Sequence, residues 1–388
     1  MGITYTLLTG AALPTVRACL AALLVLVAMA LGRQALSMRL IAIAAMAVML
    51  FWPEAAIGPS FQLSFAAVVA IVALQNAEPV AEFRRGGREL KWGGRLVRWA
   101  VLLFLTGLVI ELVLIPLVLF HFHRAGLYGA VANLVAIPLT TLVIMPLLAL
   151  SFVADSIGLG APLWGLSGKA IGLLLAIARE TADAPGSIHF SPLVPVWIVA
   201  VIAAGGLWLA VWSGRLRLFG LLPAGLGAIV LATLHAPDLL VSGDGRHLAL
   251  RGDDGTAYLL RANRSFARDV MLEMSGRGPE GPGKPYRAIE DWPGARCNAD
   301  FCALRAGSAG KPVDILVARG HVRPGRSDLM TSCAQSDIVI AEGAMSNACR
   351  PRWLKLDGQY LSRRGGVAVD FSARTVRRVR PASDRHGW

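Results

Sequence analysis

Polar side chains open an apolar segment at residues 60–65, SFQLSF, directly after a turn rich in proline and glycine. Hydroxyl and amide groups at membrane depth need hydrogen-bond partners or water, because hydrocarbon supplies neither. Ser60 and Ser64 share one face of a helix, whereas Gln62 points nearly opposite. The hydroxyls could bond carbonyls one turn earlier and Gln62 a neighbouring helix. Alternatively, the three side chains could line a water-filled path, and the residues leave both interpretations open.

Glu111 stands in the middle of another long apolar segment. An intramembrane carboxylate is a candidate functional group, and a structural ion pair is the rival interpretation. We expect Glu111 to make a hydrogen bond between helices or a buried pair, such as one with Arg17. Its charge would repel an anionic substrate.

The histidines and cysteines are sparse, and their spacing predicts no catalytic or metal-ligating set and no cofactor. His121 and His123 alone make a weak metal site, so we expect them to anchor a helix end at the membrane interface beside Arg124. Cys19 is isolated in an apolar segment and is expected to pack as a core residue. Four further cysteines are disulfide candidates, because their even number fits an oxidising compartment and a zinc site would need tighter pairs: Cys297, Cys302, Cys333 and Cys349.

The composition places these residues in a membrane protein. Hydrophobic residues make up 55% of the chain, charged residues only 16%, and the mean hydropathy is +0.58. The predicted fold is a polytopic α-helical membrane domain over residues 1–234, followed by a soluble α/β domain over residues 235–388. Apolar segments predict about 6–8 membrane spans, at 13–31, 38–52, 60–75, 99–119, 127–157, 161–183, 193–212 and 216–234.

The segment 127–157 is too long for one span, and Pro138 and Pro146 interrupt it. We therefore expect a broken or re-entrant helix there, with Asn133 bonding the freed backbone groups. Irregular backbone at this depth is tolerated only where protein or water satisfies it.

Basic loops orient the spans. Six Lys and Arg residues fall within residues 84–98, and Arg215 and Arg217 lie between the last two apolar segments. Taking these loops as cytoplasmic places the N-terminus and the domain 235–388 outside. That side is oxidising in a bacterial periplasm, which agrees with the disulfide interpretation.

The domain 235–388 has β-rich patterns. LLVSGDGRHLALRGDDGTAYLLR predicts hairpins with Asp-Gly turns, and VDILVARG and SDIVIAEG predict buried strands of an α/β layer arrangement. Its 24 Lys and Arg against 17 Asp and Glu give +7 of the total net charge of +13. This charge permits an anionic partner such as nucleic acid.

Three segments resemble the ComEC family of competence proteins: LPTVRA (13–18), GPSFQLSFAAVV (58–69) and HFHRAGLYGAVANLVAIPLTTLVIMPL (121–147). The resemblance implies a multi-pass bacterial inner-membrane channel that carries single-stranded DNA into the cytoplasm in natural transformation. It further implies contact with membrane lipid, a cytoplasmic DNA-translocating motor, a periplasmic DNA-binding protein and possible homo-oligomers. Arg17 and Arg124 would then meet DNA phosphates.

The family also implies more than this sequence contains. Members usually begin with further helices and a small OB-like domain, so the chain resembles the C-terminal portion of such a protein. Its last domain resembles a degenerate metallo-β-lactamase-like domain, because the H-x-H-x-D-H cluster that would hold two metals is missing from the sequence. The rival hypotheses are a membrane-bound metal-dependent hydrolase or nuclease and a transporter of another solute.

Overall fold

A computed structural model describes residues 2–8, 10, 15, 19, 37–86, 91–252, 254–261, 263, 265–276, 286–307, 312–319 and 326–380. The chain forms two compact units. A helical unit comprises residues 1–189 and 194–233, and a C-terminal unit comprises residues 190–193 and 234–388. The expected helix 13–31 and its residue Arg17 lie outside the described residues, apart from isolated positions.

The helical unit begins with α1 (Gly2–Leu8), α2 (Met38–Phe51) and a 3₁₀ turn (Pro53–Ile57). The helices α3 (Pro59–Gln75), α4 (Glu78–Arg85) and α5 (Trp92–Phe122) follow. After strand β1 (Arg124–Gly126) come α6 (Gly129–Pro138), a π-helical segment (Leu139–Ile144) and α7 (Met145–Asp155). The unit continues with α8 (Gly160–Asp183), β2 (Ile188–Phe190), α9 (Val196–Val211), a 3₁₀ segment (Gly214–Gly220) and α10 (Leu221–Ala232).

Four helical stretches in the described residues are long and apolar enough to cross a membrane. They are Trp92–Phe122, Gly129–Asp155, Gly160–Asp183 and Gly214–Ala232. A fifth counts if α3 and α4, which are bent by 63° against each other, form one span. The predicted membrane-protein class is thereby supported with four or five candidate spans, and α2 and α9 are shorter apolar helices.

The expected break between residues 127 and 157 is not found. Gly129–Asp155 is one helical stretch of 27 residues, about 40 Å long at 1.5 Å per residue. Pro138 ends the regular α-helix and Pro146 lies in the first turn of the next one. The six residues of the π-helical segment lie between them, and this wider turn absorbs the prolines without breaking the helix.

Glycines allow α9 and α10 to approach closely. A Cβ atom added to Gly205 would lie 2.6 Å from the Ala224 nitrogen and 2.7 Å from the Gly220 carbonyl oxygen. In a membrane such small-residue contacts stabilise helix pairs, because lipid provides no hydrophobic driving force between helices. A Cβ atom added to the neighbouring Gly206 would have no described atom within 4 Å.

The C-terminal unit contains two sheets. The six-stranded sheet has the order β13 (Thr375–Arg378), β12 (Val367–Asp370), β3 (Leu239–Val241), β4 (Leu248–Arg251), β5 (Ala257–Leu259), β6 (Tyr286–Ala288). The five-stranded sheet has the order β11 (Leu354–Leu356), β10 (Ile338–Ile340), β9 (Val313–Ala318), β8 (Phe301–Ala306), β7 (Arg296–Cys297). The predicted hairpins β3–β4 and β4–β5 are confirmed, and VDILVARG and SDIVIAEG supply the parallel strands β9 and β10.

The two sheets pack face to face with a helix outside each. Alternate residues such as Leu239 and Leu250 of one sheet share a core with Ile315 and Ile340 of the other. The outer face of the six-stranded sheet packs on α11 (Phe266–Met274). The outer face of the five-stranded sheet packs against Cys333 of α12 (Arg326–Gln335). The unit is therefore a four-layer α/β/β/α arrangement.

Two disulfide bonds join the four cysteines of this unit. Cys297 and Cys302 face each other across the β7–β8 pair. Cys333 and Cys349 connect α12 to the loop before β11, and both are almost fully buried. Cys19 has a free thiol.

Gly205→Ala should weaken the α9–α10 pair, because the new methyl group meets backbone atoms that must move, at a cost of about 1–3 kcal/mol. The measurement is the midpoint of heat-induced aggregation of the purified protein in detergent. Gly206→Ala is the matched control and should leave the midpoint unchanged or raise it. Equal midpoints for the two variants would contradict the close-packed arrangement.

Removing Cys333–Cys349 should destabilise the C-terminal unit more than removing Cys297–Cys302. Chain entropy assigns about 3 kcal/mol to a loop of 16 residues and about 2 kcal/mol to one of five. The paired alanine variants Cys333→Ala with Cys349→Ala and Cys297→Ala with Cys302→Ala test this order. Denaturant midpoints followed by tryptophan fluorescence provide the comparison, and the reverse order would contradict it.

Candidate functional site

Glu111 caps the start of a neighbouring helix. Its carboxylate accepts hydrogen bonds from the backbone nitrogens of Gly129, at 3.0 Å, and Ala130, at 2.6 Å. These are the first two residues of α6, whose N-cap residue Tyr128 makes no side-chain capping bond. Free N–H groups at a helix start carry partial positive charge and are costly in hydrocarbon without an acceptor. One carboxylate therefore satisfies both N–H groups, and they in turn satisfy its charge.

Small residues permit this contact between α5 and α6. A Cβ atom on Gly129 would lie 3.4 Å from a carboxylate oxygen of Glu111. A Cβ atom on Gly107, one turn before Glu111, would lie 3.5 Å from the Ala130 Cα atom. The two glycines thus bring the α6 backbone within reach of the carboxylate. The structure shows a hydrogen bond between helices, which was the first of the two expectations for Glu111.

A cavity of about 310 Å³ lies beside the capped helix start. Its polar lining comes from Thr106, Glu111 and Asn133, and the remaining lining residues are apolar or glycine. The Thr106 hydroxyl donates to the Leu102 carbonyl of its own helix at 2.7 Å. Asn133 is exposed and has no side-chain hydrogen bond to any described residue. Its amide is therefore available to a further helix, water or ligand, and it does not bond a break in its own helix.

Gln62 of α3 connects its own helix to the preceding 3₁₀ turn and to the C-terminal end of α5. Its amide nitrogen donates to the Ala56 carbonyl at 3.1 Å, in the 3₁₀ turn that precedes α3. Its amide oxygen lies 2.9 Å from His121 Nε2, near the end of α5. With the amide in this orientation, Nε2 of His121 carries the proton. Ten residues separate Glu111 from His121, so the two polar contacts lie about 15 Å apart along α5.

Ser60 and Ser64 remain on the open face of α3. Both are exposed, and neither hydroxyl bonds a described residue. The bond from each hydroxyl to a carbonyl one turn earlier, which was one of the two interpretations, is not made. The polar residues of segment 60–65 thus fall into two groups. Gln62 is hydrogen-bonded within the helical unit, whereas Ser60 and Ser64 have hydroxyls with no partner among the described residues.

His123 and Arg124, which directly follow α5, take no part in the two polar contacts described above. His123 adopts a left-handed backbone conformation with φ of 56° and ends the helix. Burial lowers the pKa of His123 and so disfavours the positively charged form of its ring. Arg124 lies exposed in β1. Arg17, its predicted companion in phosphate binding, lies outside the described residues.

The hydrolase hypothesis requires a cluster of metal-ligating side chains in the C-terminal unit. Among the described residues, no group of three or more His, Cys, Asp or Glu side chains is arranged to hold a metal ion. Two histidines of the C-terminal unit, His321 and His386, lie outside the described residues. The donor set that two-metal hydrolysis needs is therefore missing from the part of the unit that the structure describes.

The family model for the competence proteins, described as "Competence protein", matches residues 1–216. The chain belongs to this family. The match includes α3, α5 and α6, and hence both polar contacts. It ends before α10, so residues 234–388 of the C-terminal unit lie outside it.

One curated relative of this competence-family chain comes from Escherichia coli (strain K12) and is named "Uncharacterized protein YcaI". It is 30% identical over 180 residues, an alignment that covers 42% of this chain and 23% of the relative. The chain thus matches less than a quarter of the length of that relative. No solved structure matches the chain.

Sequence reasoning missed the partners of both polar contacts. Gly129 and Ala130 act through backbone N–H groups, which carry no side-chain signal. His121 was assigned to interface anchoring, whereas it contacts Gln62. Its position at the end of an apolar segment was the available signal, because a ring nitrogen at that depth requires a partner. A further missed contact joins buried Ser151 of α7 and Ser167 of α8, whose hydroxyl oxygens are 3.2 Å apart.

Glu111→Leu should destabilise the helical unit, because it leaves two N–H groups without an acceptor at about 1–3 kcal/mol each. Glu111→Gln keeps one acceptor oxygen and should lie between the native protein and the leucine variant. Thermal midpoints in detergent and the amount of protein in isolated membranes are the measurements. Thr106→Val is the control from the same cavity, since its hydroxyl bonds only its own helix. A fully stable Glu111→Leu protein with altered transport would instead place the carboxylate in a transport path.

Gln62 and His121 should be energetically coupled. A double-mutant cycle of Gln62→Leu and His121→Leu should show a coupling of about 0.5–1.5 kcal/mol, because each single change already removes the shared hydrogen bond. Unfolding of the detergent-purified variants provides the free energies. Strict additivity of the two changes would show that the contact does not stabilise the native state.

Proposed function

We propose that this chain forms part of the inner-membrane path through which single-stranded DNA enters the cytoplasm in natural transformation. Membership of the competence protein family supports a role in DNA uptake. The observation that carries the path itself is the open polar face of α3, where two serine hydroxyls have no partner among the described residues. A hydroxyl in that position requires water or another polar group beside it.

The two polar contacts would hold the wall of this path. Gln62 fixes the turn before α3 against the end of α5, and Glu111 fixes α6 against the middle of α5. Ser60 and Ser64 would then present hydroxyls to the strand, and basic residues such as Arg124 would attract its phosphates. Further helices would complete the path, supplied by a longer chain or by additional copies.

The chain contains no G-x-x-x-x-G-K-[ST] phosphate loop. The energy for transport would therefore come from a cytoplasmic motor or from the membrane potential, and a periplasmic DNA-binding protein would deliver the strand.

The proposed orientation places the C-terminal unit in the periplasm. The Leu127 nitrogen donates to the Ser187 carbonyl at 2.8 Å, and the Tyr128 hydroxyl donates to the Pro185 carbonyl at 2.9 Å. Hence the start of Gly129–Asp155 and the end of α8 lie on one side, and the two helices cross as a hairpin or not at all. With the basic residues 84–98 in the cytoplasm, either case leaves residues 234–388 outside. The two disulfides support this assignment.

A degenerate metallo-β-lactamase-like identity for the C-terminal unit is supported by its four-layer α/β/β/α arrangement. The same layering makes a hydrolase the second candidate function. Metal content and nuclease activity of the purified full chain separate the two. Stoichiometric metal together with strand cleavage would favour the hydrolase.

Cysteine substitution tests the path. In a Cys19→Ser background, Ser60→Cys and Ser64→Cys should react with a charged, membrane-impermeant thiol reagent, and single-stranded DNA should slow that reaction. Ala66→Cys is the control, because residue 66 lies on the opposite side of α3.

Transformation frequency in a naturally transformable host should fall for Ser60→Leu with Ser64→Leu while protein level in the membrane stays constant. Normal transformation after deletion of the gene would refute the proposed function.

A further inference from the structure

The outer strand of the six-stranded sheet carries an unusual density of positive charge. Residues 358–380 contain six arginines and one carboxylate, Asp370. The arginines lie on the helix α13 (Gly358–Arg364), on β13 and beside it: Arg363, Arg364, Arg374, Arg377, Arg378 and Arg380. We call this surface the β13 edge.

These arginines lack carboxylate partners, in contrast to others in the same unit. None of the six forms an ion pair with a described residue, although Arg377 interacts electrostatically with Asp370. Elsewhere in the unit, arginines contact carboxylates: Arg246 and Arg261 with Glu342, Arg305 with Asp314, and Arg319 with Glu290. The β13 edge therefore has uncompensated charge that a polyanion can neutralise.

Aromatic rings lie beneath two of the arginines. The Arg374 guanidinium is 5.7 Å from the centre of the Trp353 ring, and the Arg378 guanidinium is 5.9 Å from the centre of the Tyr360 ring. Arg378 Nε also donates to the Tyr360 hydroxyl at 2.5 Å. These contacts hold planar cations on a rigid surface, where unpaired bases can stack on guanidinium planes while phosphates meet the neighbouring charges.

The strand itself is open on one side. β13 is the last strand of its sheet and pairs only with β12 among the described strands. Arg377 and Arg378 lie within it, Arg374 comes directly before it and Arg380 two residues after it, and all four are exposed. Exposed side chains therefore follow one line along the edge, which suits an extended ligand better than a compact one.

We propose that the β13 edge binds single-stranded DNA through its phosphates and bases. The inference rests on the proposed function, and it gives the C-terminal unit the task of holding the strand before membrane passage. The ligand class follows from repeated positive charge beside guanidinium groups that stack on aromatic rings. A compact anion would use only one or two of these arginines.

The test compares two charge-matched variants of the full chain in zwitterionic nanodiscs. Arg377→Gln with Arg380→Gln changes the β13 edge, whereas Arg287→Gln with Arg296→Gln removes two exposed arginines from β6, at the opposite edge of the sheet, and from β7. Both lower the net charge equally. The probe is fluorescein-labelled oligo(dT) of about 30 nucleotides, long enough for several phosphate contacts, and binding is measured by anisotropy at several salt concentrations.

The edge variant should bind the oligonucleotide about 25-fold more weakly at about 0.1 M salt, because each phosphate contact contributes about 0.7 to the slope of log K against log salt concentration. The control should bind like the native protein. Arg374→Lys with Arg378→Lys keeps the charge but removes the planar guanidinium groups on which bases can stack. Affinity should therefore fall, while the slope of log K against log salt concentration stays constant. Equal binding by the edge variant and the control would overturn the assignment.

Two further outcomes would also overturn it. Equal affinity of the native protein for a duplex of the same length would show charge attraction without recognition of unpaired bases. An edge variant that binds oligo(dT) normally and loses only its attraction to phosphatidylglycerol vesicles would assign the surface to lipid. Transformation separates the two proposals: if the edge variant binds normally while gene deletion abolishes transformation, the edge assignment fails and the proposed function stands.

Discussion

The helical unit depends on a rule of backbone chemistry, namely that an N–H group within hydrocarbon must have an acceptor. The helix α6 starts beside the middle of α5, where no water is guaranteed, and its own N-cap residue offers no side-chain acceptor. Glu111 supplies the acceptor from another helix. The arrangement requires Gly129 and Gly107 at the contact, and it opens the cavity that Thr106 and Asn133 line. A charged residue in an apolar segment is here a part of the fold.

The second polar contact follows the same rule with neutral groups. Gln62 satisfies carbonyls of the 3₁₀ turn and a ring nitrogen of His121 at once, so three elements share one amide. This use of Gln62 separates it from Ser60 and Ser64, which lie near it in sequence but on the other face of the helix. The distinction assigns a structural role to the amide and leaves the two hydroxyls exposed, with no partner among the described residues.

Sequence patterns predicted the parts of the fold that depend on period and composition. The membrane class, the hairpins of the C-terminal unit and the buried strands VDILVARG and SDIVIAEG follow from repeated side-chain types. The helix between Gly129 and Asp155 was expected to break, because proline signals a missing hydrogen bond without showing that a π-helical segment can absorb it. The partner of Glu111 was equally hidden, since a backbone N–H is common to almost every residue.

The arginines of β13 have a further effect on how copies of this protein meet. An outer strand with unpaired N–H and C=O groups readily joins the same strand of another copy, and such joining leads to aggregation. Two β13 strands in contact would bring like charges together, and this repulsion keeps the sheets apart at low ionic strength. A bound polyanion cancels the repulsion. If the β13 edge binds nucleic acid as proposed, copies gathered along one strand would be free to approach edge to edge, so the length of the strand would set how many of them cluster.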